Sequence, residues 1–506
     1  AVNRKNRAYI IKRTRKNPDL RVNNRILRVD NRTLQTRINQ KIGNSYKKAK
    51  NSRGYGLRKI IKENRMKYFF IGAGGAGMSA LAGYLTKKGE DVSGCDAVMS
   101  QAVESLRLMG ANITTDPERI KSADIAVYSA AISEDDPFLA AARKYAAKVM
   151  RRDVLLGSVF NSFPCSVAVA GMHGKTTVSA LVTHILSRAG LDPSAFIGGA
   201  MKPEGRNFLC GKGDYCVAEA CEYKKSFLHL RPTVAVILNA DLDHTDCYPD
   251  MESVYRAYNE FIGGSDENAL IIAHESCNNF IKTDRKVVYF GENEGCDFRA
   301  TDFAEKNGRF SFVAEKNGSK LCRITPSLFG KHNAINSLAA FATAYSLGIE
   351  PLVIASALGN FPGIVRRADV KFIGKKEIIE DYAHHPEQIK SLLEAVKSTG
   401  RKRLTVVFQP HTYSRTKSLA DRFATCFDEA EEVVLLPVYA ARENPLKGGT
   451  SRDLYEAIKA KNPDLTVYLA EYFHEAAGLI ETLPDDRTIL LVGAGDITNI
   501  EKFLSV

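Results

Sequence analysis

From residue 66 onward, the chain alternates short apolar runs with longer stretches in which apolar residues return every three or four positions. The runs include "KYFFIG", "DVSGCD", "DIAVYSA", "SVAVAG", "YCVAEA", "VAVILN", "KVVYFG", "EIIEDY", "LTVVFQ", "EVVLLPV" and "TILLVGAG". They are short, rich in Val and Ile and bounded by Gly, Asp or Pro, which predicts buried strands. The stretches between them read as helices, so the expected architecture is α/β with parallel sheets covered on both faces. Between "ALIIAHESCNNF" and "GRFSFVAEKNGSKLCRI" the rhythm changes. Strand-like pieces follow one another there without long helices, so part of this region is expected to be antiparallel. Asn317-Gly318 marks a hairpin turn within it.

Polar, Pro-bearing links at "VFNSFPCS" and "LGNFPGIVRR" divide the chain. The expected domains are 66–164, 165–361 and 362–506, preceded by a basic segment, 1–65. The chain is 506 residues long, 44% hydrophobic and 25% charged, ordinary values for a globular protein of several domains. Its net charge of +13 is unevenly placed. Residues 1–65 hold 21 Lys and Arg against three acidic residues, whereas the remainder holds 50 against 55. The body is therefore slightly acidic, which argues against nucleic acid as its partner. The segment 1–65 is expected to be mostly disordered, as a basic arm or, preferably, as a leader upstream of a natural start at Met66. The ten cysteines are scattered without CxxC or zinc-like spacing, as expected of free thiols in a reducing cytoplasm. No apolar run is long enough to span a bilayer.

Two glycine turns carry the chemistry. In "VAVAGMHGKTTVSALV" an apolar strand ends at Gly171, and Met172-His173-Gly174-Lys175-Thr176-Thr177 opens a helix. Small residues let backbone N–H groups approach phosphate oxygens at a helix N-terminus. Lys175 is placed to neutralise β- and γ-phosphates, and the Thr176 hydroxyl to ligate Mg²⁺. Val169 stands where the longer GxxxxGK[ST] pattern has its first glycine, so the match is to GxxGKT. The other turn, "FIGAGGAGMS", fits GxGxxG through Gly72, Gly74 and Gly77, and Asp96 follows where a ribose-binding carboxylate belongs. Two pyrophosphate cradles in one chain point to one nucleotide as fuel and another as a handle on the substrate, a ligase rather than a dehydrogenase.

Taken together, "GAGGAGMS", "GMHGKTT", "EACEYKKSFLHLRPTVAVILNADLDHTD", "GKHNAINSLAA", "DYAHHPEQI" and "FQPHTYSRT" resemble the Mur ligases, in family order from residue 66 to the end. The last two are specific to the alanine-adding branch. The resemblance implies a Rossmann-like N-terminal domain, a central P-loop ATPase-type domain and a Rossmann-like C-terminal domain. It implies ATP-dependent ligation of L-alanine to UDP-N-acetylmuramate through an acyl phosphate, in the cytoplasm, by a monomer or homodimer. By the same resemblance, Glu222 and His244 match magnesium ligands, and His332, Asn333 and Asn336 match the adenine side. Asp381 is matched to the ATP ribose, and at least one of Arg366 and Arg367 to the γ-phosphate. His384, His385, His411 and Arg415 form the amino-acid and acyl-phosphate pocket, Arg415 pairing with the incoming carboxylate. The UDP-sugar site takes in Gly72, Gly74, Gly75, Gly77, Met78, Ser79, Asp96 and Ser129. Three alternatives stand beside this reading: a sibling ligase (another Mur ligase or one that adds a ready-made peptide), a nucleic-acid-binding NTPase, and a NAD-dependent dehydrogenase. The last leaves Lys175, Glu222 and His244 without a task.

Overall fold

The computed structural model describes residues 65–114, 117–241, 247–441 and 443–505, with the backbone alone at 117–119. The expectations for the basic segment and for His244 lie outside the described residues. What is described contains three sheets, each made of strands contiguous in sequence.

The first sheet comprises β1 (Lys67–Ile71), β2 (Asp91–Cys95), β3 (Asn112–Ile113), β4 (Ile125–Tyr128) and β5 (Lys148–Arg151), in the order β3-β2-β1-β4-β5. All its pairings are parallel. Phe69 and Phe70 are both fully buried, yet they join separate apolar clusters on opposite faces of the sheet. Successive strand side chains point to opposite faces, so a strand covered on both sides must be apolar at every position. That is why "KYFFIG" reads as a continuous run.

The second sheet runs from β6 (Cys165–Ala170) through β7 (Ser194–Met201), β8 (Arg206–Leu209), β9 (Tyr215–Glu219), β10 (Val234–Ile237), β11 (Leu270–His274) and β12 (Val287–Gly291). It ends with β13 (Phe298–Lys306), β14 (Arg309–Lys316) and β15 (Ser319–Ile324), in the order β15-β14-β13-β12-β11-β10-β6-β9-β7-β8. The centre is parallel. As the change in rhythm predicts, β13, β14 and β15 form an antiparallel meander. Asn317 and Gly318 close its second hairpin, with φ of 47° and 76°, the doubly left-handed turn that Asn-Gly favours.

The third sheet comprises β16 (Asp369–Ile373), β17 (Lys376–Asp381), β18 (Leu404–Phe408), β19 (Glu432–Leu435), β20 (Thr466–Leu469) and β21 (Thr488–Val492), ordered β16-β17-β21-β18-β19-β20. Only the edge strand β16 is antiparallel. Among the described residues, no helix is long and apolar enough to cross a membrane.

Parallel sheets collect loops at the carboxyl ends of their strands, and ligands bind in the crevice there. In the second sheet that edge carries the 171–174 turn after β6, Glu219 at the end of β9, Asn239 beyond β10 and His274 at the end of β11. In the third it carries Asp381, His411 and Gly493.

Candidate active site

The turn after β6 is shaped by two glycines. Gly174 has φ 85°, and a Cβ there would stand 2.7 Å from Asn336 Oδ1. Gly171 has φ 147°, and a Cβ there would stand 2.9 Å from Leu238 Cβ. Gly174 caps the helix Lys175–Arg188 without any side-chain hydrogen bond to its first turn, so those N–H groups are left to a ligand. Lys175 folds back over the turn. Its Nζ donates to the carbonyl of Gly171 at 2.5 Å and pairs with Glu222 Oε2 at 2.9 Å. Burial alone would lower the lysine's pKa, but the charge of Glu222, then Cys221 and Glu219, outweighs it and raises the pKa above the ordinary value. Glu222 is itself only 2% exposed. Its carbonyl accepts from the buried Tyr248 hydroxyl at 2.6 Å.

Thr176 faces the neighbouring strand. Its Oγ1 donates to Glu219 Oε2 at 2.9 Å, and that oxygen also accepts the Gly198 N–H at 2.8 Å. A Cβ at residue 198 would sit 2.5 Å from the same oxygen, so the carboxylate needs glycine there. Glu219 is a residue the sequence reading missed. In the sequence it is only the first Glu of "EACEYKK"; the folded sheet adds that it ends a strand pairing directly with β6 in the register Val169↔Glu219. Thr176 and Glu219 offer hydroxyl and carboxylate oxygens, the hard donors that suit Mg²⁺. Among the described residues no three His, Cys, Asp or Glu side chains gather as a metal cluster.

The third domain closes over this turn. The segment 361–368 pairs with the end of β7, Val365 N donating to the Ala200 carbonyl at 2.9 Å. Arg366 and Arg367 both lie against the Tyr382 ring, at 5.2 and 5.1 Å from its centroid. They then diverge. Arg366, at φ 59°, sends Nη2 to the Gly493 carbonyl at 2.5 Å, inside its own domain. Arg367 sends Nη2 to Thr176 Oγ1 at 3.5 Å, across the domain boundary.

A cavity of about 430 Å³ lies between the two domains. His173, Gly174 and Thr177 line it beside Arg367 and Asp381, and His332, Asn333 and Asn336 line it from the helix Lys331–Ser346. Asn239, His274, Phe290, Phe329 and Gln388 also line it; Asn239 and Gln388 lie within the quoted motifs but were given no role there, and the other three lie outside them. Asn336 Nδ2 donates to Asn333 Oδ1 at 3.1 Å, so the two amides hold one another in orientation. Asp381 accepts the N–H of Ala368 and of Ala383, both at 2.7 Å, and burial raises its pKa against the pull of Arg367.

Beyond Asp381, His384 Nδ1 lies 2.9 Å from the Tyr382 carbonyl. A carbonyl only accepts, so Nδ1 carries the proton and Nε2 of the neutral ring holds a lone pair. Desolvation, then Arg415, holds the pKa of His384 well below its ordinary value. The His384 and His411 ring centroids are 5.8 Å apart, and Arg415 Nη1 donates to His411 Nδ1 at 3.1 Å. His385 is 2% exposed, its ring 5.6 Å from that of His173. His384, His411 and Arg415 thus lie together, whereas the ring of His385 faces His173.

Three family descriptions match successive parts of the chain: the Mur ligase family catalytic domain over residues 67–164, the middle domain over 169–344 and the glutamate ligase domain over 366–495. A UDP-N-acetylmuramate–L-alanine ligase of Caldicellulosiruptor saccharolyticus is 37% identical over 441 residues, covering 85% of this chain and 96% of the relative. One from Clostridium acetobutylicum is 38% identical over 453 residues, covering 87% and 97%. The chain belongs to the Mur ligase family. Among solved structures, the UDP-N-acetylmuramate–alanine ligase of Thermotoga maritima superposes with a TM-score of 0.75 at 27% identity, covering 87% of this chain and 98% of that one. A murein peptide ligase from Psychrobacter arcticus shares the fold, with a TM-score of 0.66 at 20% identity over 86% of this chain and 97% of that one.

The first glycine turn of this Mur ligase lies after β1. Gly72 has φ 75°, and the N–H groups of Gly72 and Ala73 both donate to the Cys95 carbonyl at 2.9 Å. Gly74 N donates to Asp96 Oδ2 at 2.7 Å and Val98 N to Oδ1 at 3.0 Å, so Asp96 shapes the turn itself. Gly75 caps the helix Ala76–Lys87 without a side-chain bond, and Arg152 packs against Gly77. Met78 is buried in the core, and Ser79 Oγ donates to the Ala76 carbonyl at 3.1 Å within its own helix. Ser129 Oγ accepts the Ala131 N–H at 3.3 Å in the loop after β4.

Proposed function

We infer that this Mur ligase joins L-alanine to UDP-N-acetylmuramate, using ATP to activate the sugar's carboxylate as an acyl phosphate and releasing ADP and phosphate. The observation that supports the reading is the meeting of Arg367 with Thr176 across the domain boundary, which joins the helix of the second glycine turn to the domain that carries His384 and His411. The identity of 37–38% to alanine-adding ligases over most of the chain supports the choice of amino acid.

Phosphoryl transfer asks for positioning and charge neutralisation rather than covalent help. Lys175 and the N–H groups of the 171–174 turn bind the β- and γ-phosphates, and phosphate oxygens then compete with Glu222 for the ammonium. Arg367 stabilises charge on the transferring group from the far side, as an arginine finger in cis. Arg366 holds the third-domain turn through Gly493. Thr176, Glu219 and Glu222, with His244, would hold Mg²⁺; bound there, it supplies charge neutralisation between the phosphates and the substrate carboxylate. The carboxylate oxygen attacks the γ-phosphorus, and ADP departs. The amine then attacks the acyl carbon, and phosphate departs. As the new C–N bond forms, the nitrogen becomes strongly acidic, and the lone pair on His384 Nε2 takes its proton despite that ring's low pKa. Arg415 pairs with the alanine carboxylate. Asn333 and Asn336 face the base, and Asp381 the ribose. The glycine turn after β1 receives the UDP diphosphate. An acyl phosphate hydrolyses in water, so the enclosed setting between domains protects it. The supply of ATP and nucleotide sugar places the reaction in the cytoplasm.

Phosphate release with UDP-N-acetylmuramate and L-alanine, glycine, L-serine or an L-alanine-led tripeptide tests this directly. L-Alanine is expected to give the highest turnover, dependent on ATP and the nucleotide sugar. Preference for the tripeptide would reassign the chain to the peptide-adding siblings.

A further inference from the structure

Gln388 has no role in the scheme above. It sits in the first turn of the helix Pro386–Ser398, and its Oε1 accepts the backbone N–H of His384 at 3.1 Å and of His385 at 3.3 Å. Only the oxygen of the amide can accept, so these two donors fix which way the side chain is turned. Its Nε2 therefore faces outward, and it lies 2.9 Å from Nδ1 of His173, in the ATP turn of the central domain. An amide nitrogen only donates, so His173 Nδ1 is the acceptor. His173 is held in turn from the main sheet. Its N–H donates to Asn239 Oδ1 at 2.9 Å, and its carbonyl accepts from Asn239 Nδ2 at 3.1 Å. One unbroken series of hydrogen bonds therefore runs from the end of β10, through the ATP turn, into the backbone of the two third-domain histidines. The Arg367–Thr176 approach nearby is longer, at 3.5 Å.

We propose that Gln388 is a positioning residue that latches the histidine turn of the third domain to the ATP turn, setting His384 and His385 in register with the phosphates. The latch itself is a matter of geometry; its catalytic consequence rests on the ligase reading. Gln388 holds the local backbone with one end and the other domain with the other. A residue serving only as a helix cap would need the first end alone.

The two roles separate in a double-mutant cycle on the full chain. Gln388→Leu removes both ends, whereas His173→Phe removes only the acceptor and keeps the ring's bulk. Two readouts are used: turnover with ATP, UDP-N-acetylmuramate and L-alanine, and amide hydrogen exchange at His384 and His385. With the latch, His173→Phe speeds exchange at both amides by about 10-fold, the scale of one hydrogen bond, although the substitution lies in another domain. The double variant then turns over no more slowly than Gln388→Leu alone. Gln388→Glu keeps both backbone bonds and accepts from the other tautomer of His173, so it restores turnover to within about threefold of wild type. Unchanged exchange in His173→Phe, losses that multiply in the double variant, or a Glu variant as impaired as Leu would each overturn the latch. A wild-type protein without ligase turnover would overturn the reaction assignment instead, and the exchange arm would still decide the latch.

Discussion

The two glycine turns occupy the same place, at the carboxyl end of the first strand of their sheets, and they are built on opposite electrostatic plans. After β1 the turn is organised by an acid: Asp96 accepts the Gly74 N–H, and no lysine is in the turn. After β6 it is organised by a base: the Gly171 and Met172 carbonyls accept from Lys175, and Glu222 balances its charge. Both leave a helix N-terminus without a side-chain cap. The shared feature suits a diphosphate, and under the proposed function the difference separates a handle from a reactant. A handle keeps its charge through the reaction, so backbone dipoles suffice. A γ-phosphate redistributes charge as it transfers, and a fixed cation answers that.

The largest effect is therefore expected at the second turn. Lys175→Ala should lower ADP release by about 10³-fold, measured with all substrates saturating, because no other cation comes from the turn itself. The pKa of Lys175 is raised above 10.5, so its ammonium is fully present below that value and is lost only as the pH rises beyond it. A pH–rate profile should accordingly show no alkaline fall from this group below pH 10.5. Glu219→Gln comes next, at about 10²-fold, with a raised Mg²⁺ requirement as the distinguishing readout. An unaltered requirement would return the metal to Glu222 and His244 alone.

Arg366 and Arg367 break the comparison in a second way, since they differ in destination rather than in chemistry. Arg367→Ala should cost about 10²-fold in kcat with little change in KM for ATP, and Arg366→Ala less than about 10-fold. The reverse ranking would show that the guanidiniums exchange places when substrate binds. His384, whose pKa is lowered from 6.5, is neutral above that value. Its stabilising role, and the acceptor role proposed for it, are thus present above pH 6.5 and lost as the pH falls toward its folded value, so the acid limb of kcat should lie below 6.5.

What could be read from the sequence follows the same division between local and assembled features. β1 and β6 are legible because burial on both faces makes nearly every position apolar, whereas β17 shows only Ile378 and Ile379 between charged residues. β7 escapes because "SAFIGGAM" carries Gly198 for the sake of the Glu219 carboxylate, not of the strand. β16 and β20 are edge strands with alternating exposure, and β3 is two residues long, so none shows a run. In the site, Lys175 and the two turns are contiguous motifs and declare themselves. Choosing Arg367 over Arg366 depends on a positive φ that no pattern of residue types encodes. Gln388 finds its partner 215 residues away, and Glu219 needs the β6–β9 register; only the folded sheet edge supplies either.

The smallest expected effect tests the quieter turn. Asp96→Asn keeps one accepting oxygen and replaces the other with a donor, so either Gly74 N–H or Val98 N–H loses its acceptor. The loss of one such bond predicts a rise of about 10-fold in KM for UDP-N-acetylmuramate. The kcat should be unchanged, because the turn grips substrate and transition state alike. Were kcat to fall with KM unaltered, the turn after β1 would be contributing to the chemistry rather than to the grip. The contrast between an inert handle and a reacting phosphate would then fail at its simpler member, where backbone amides and one carboxylate are all that the turn has to offer.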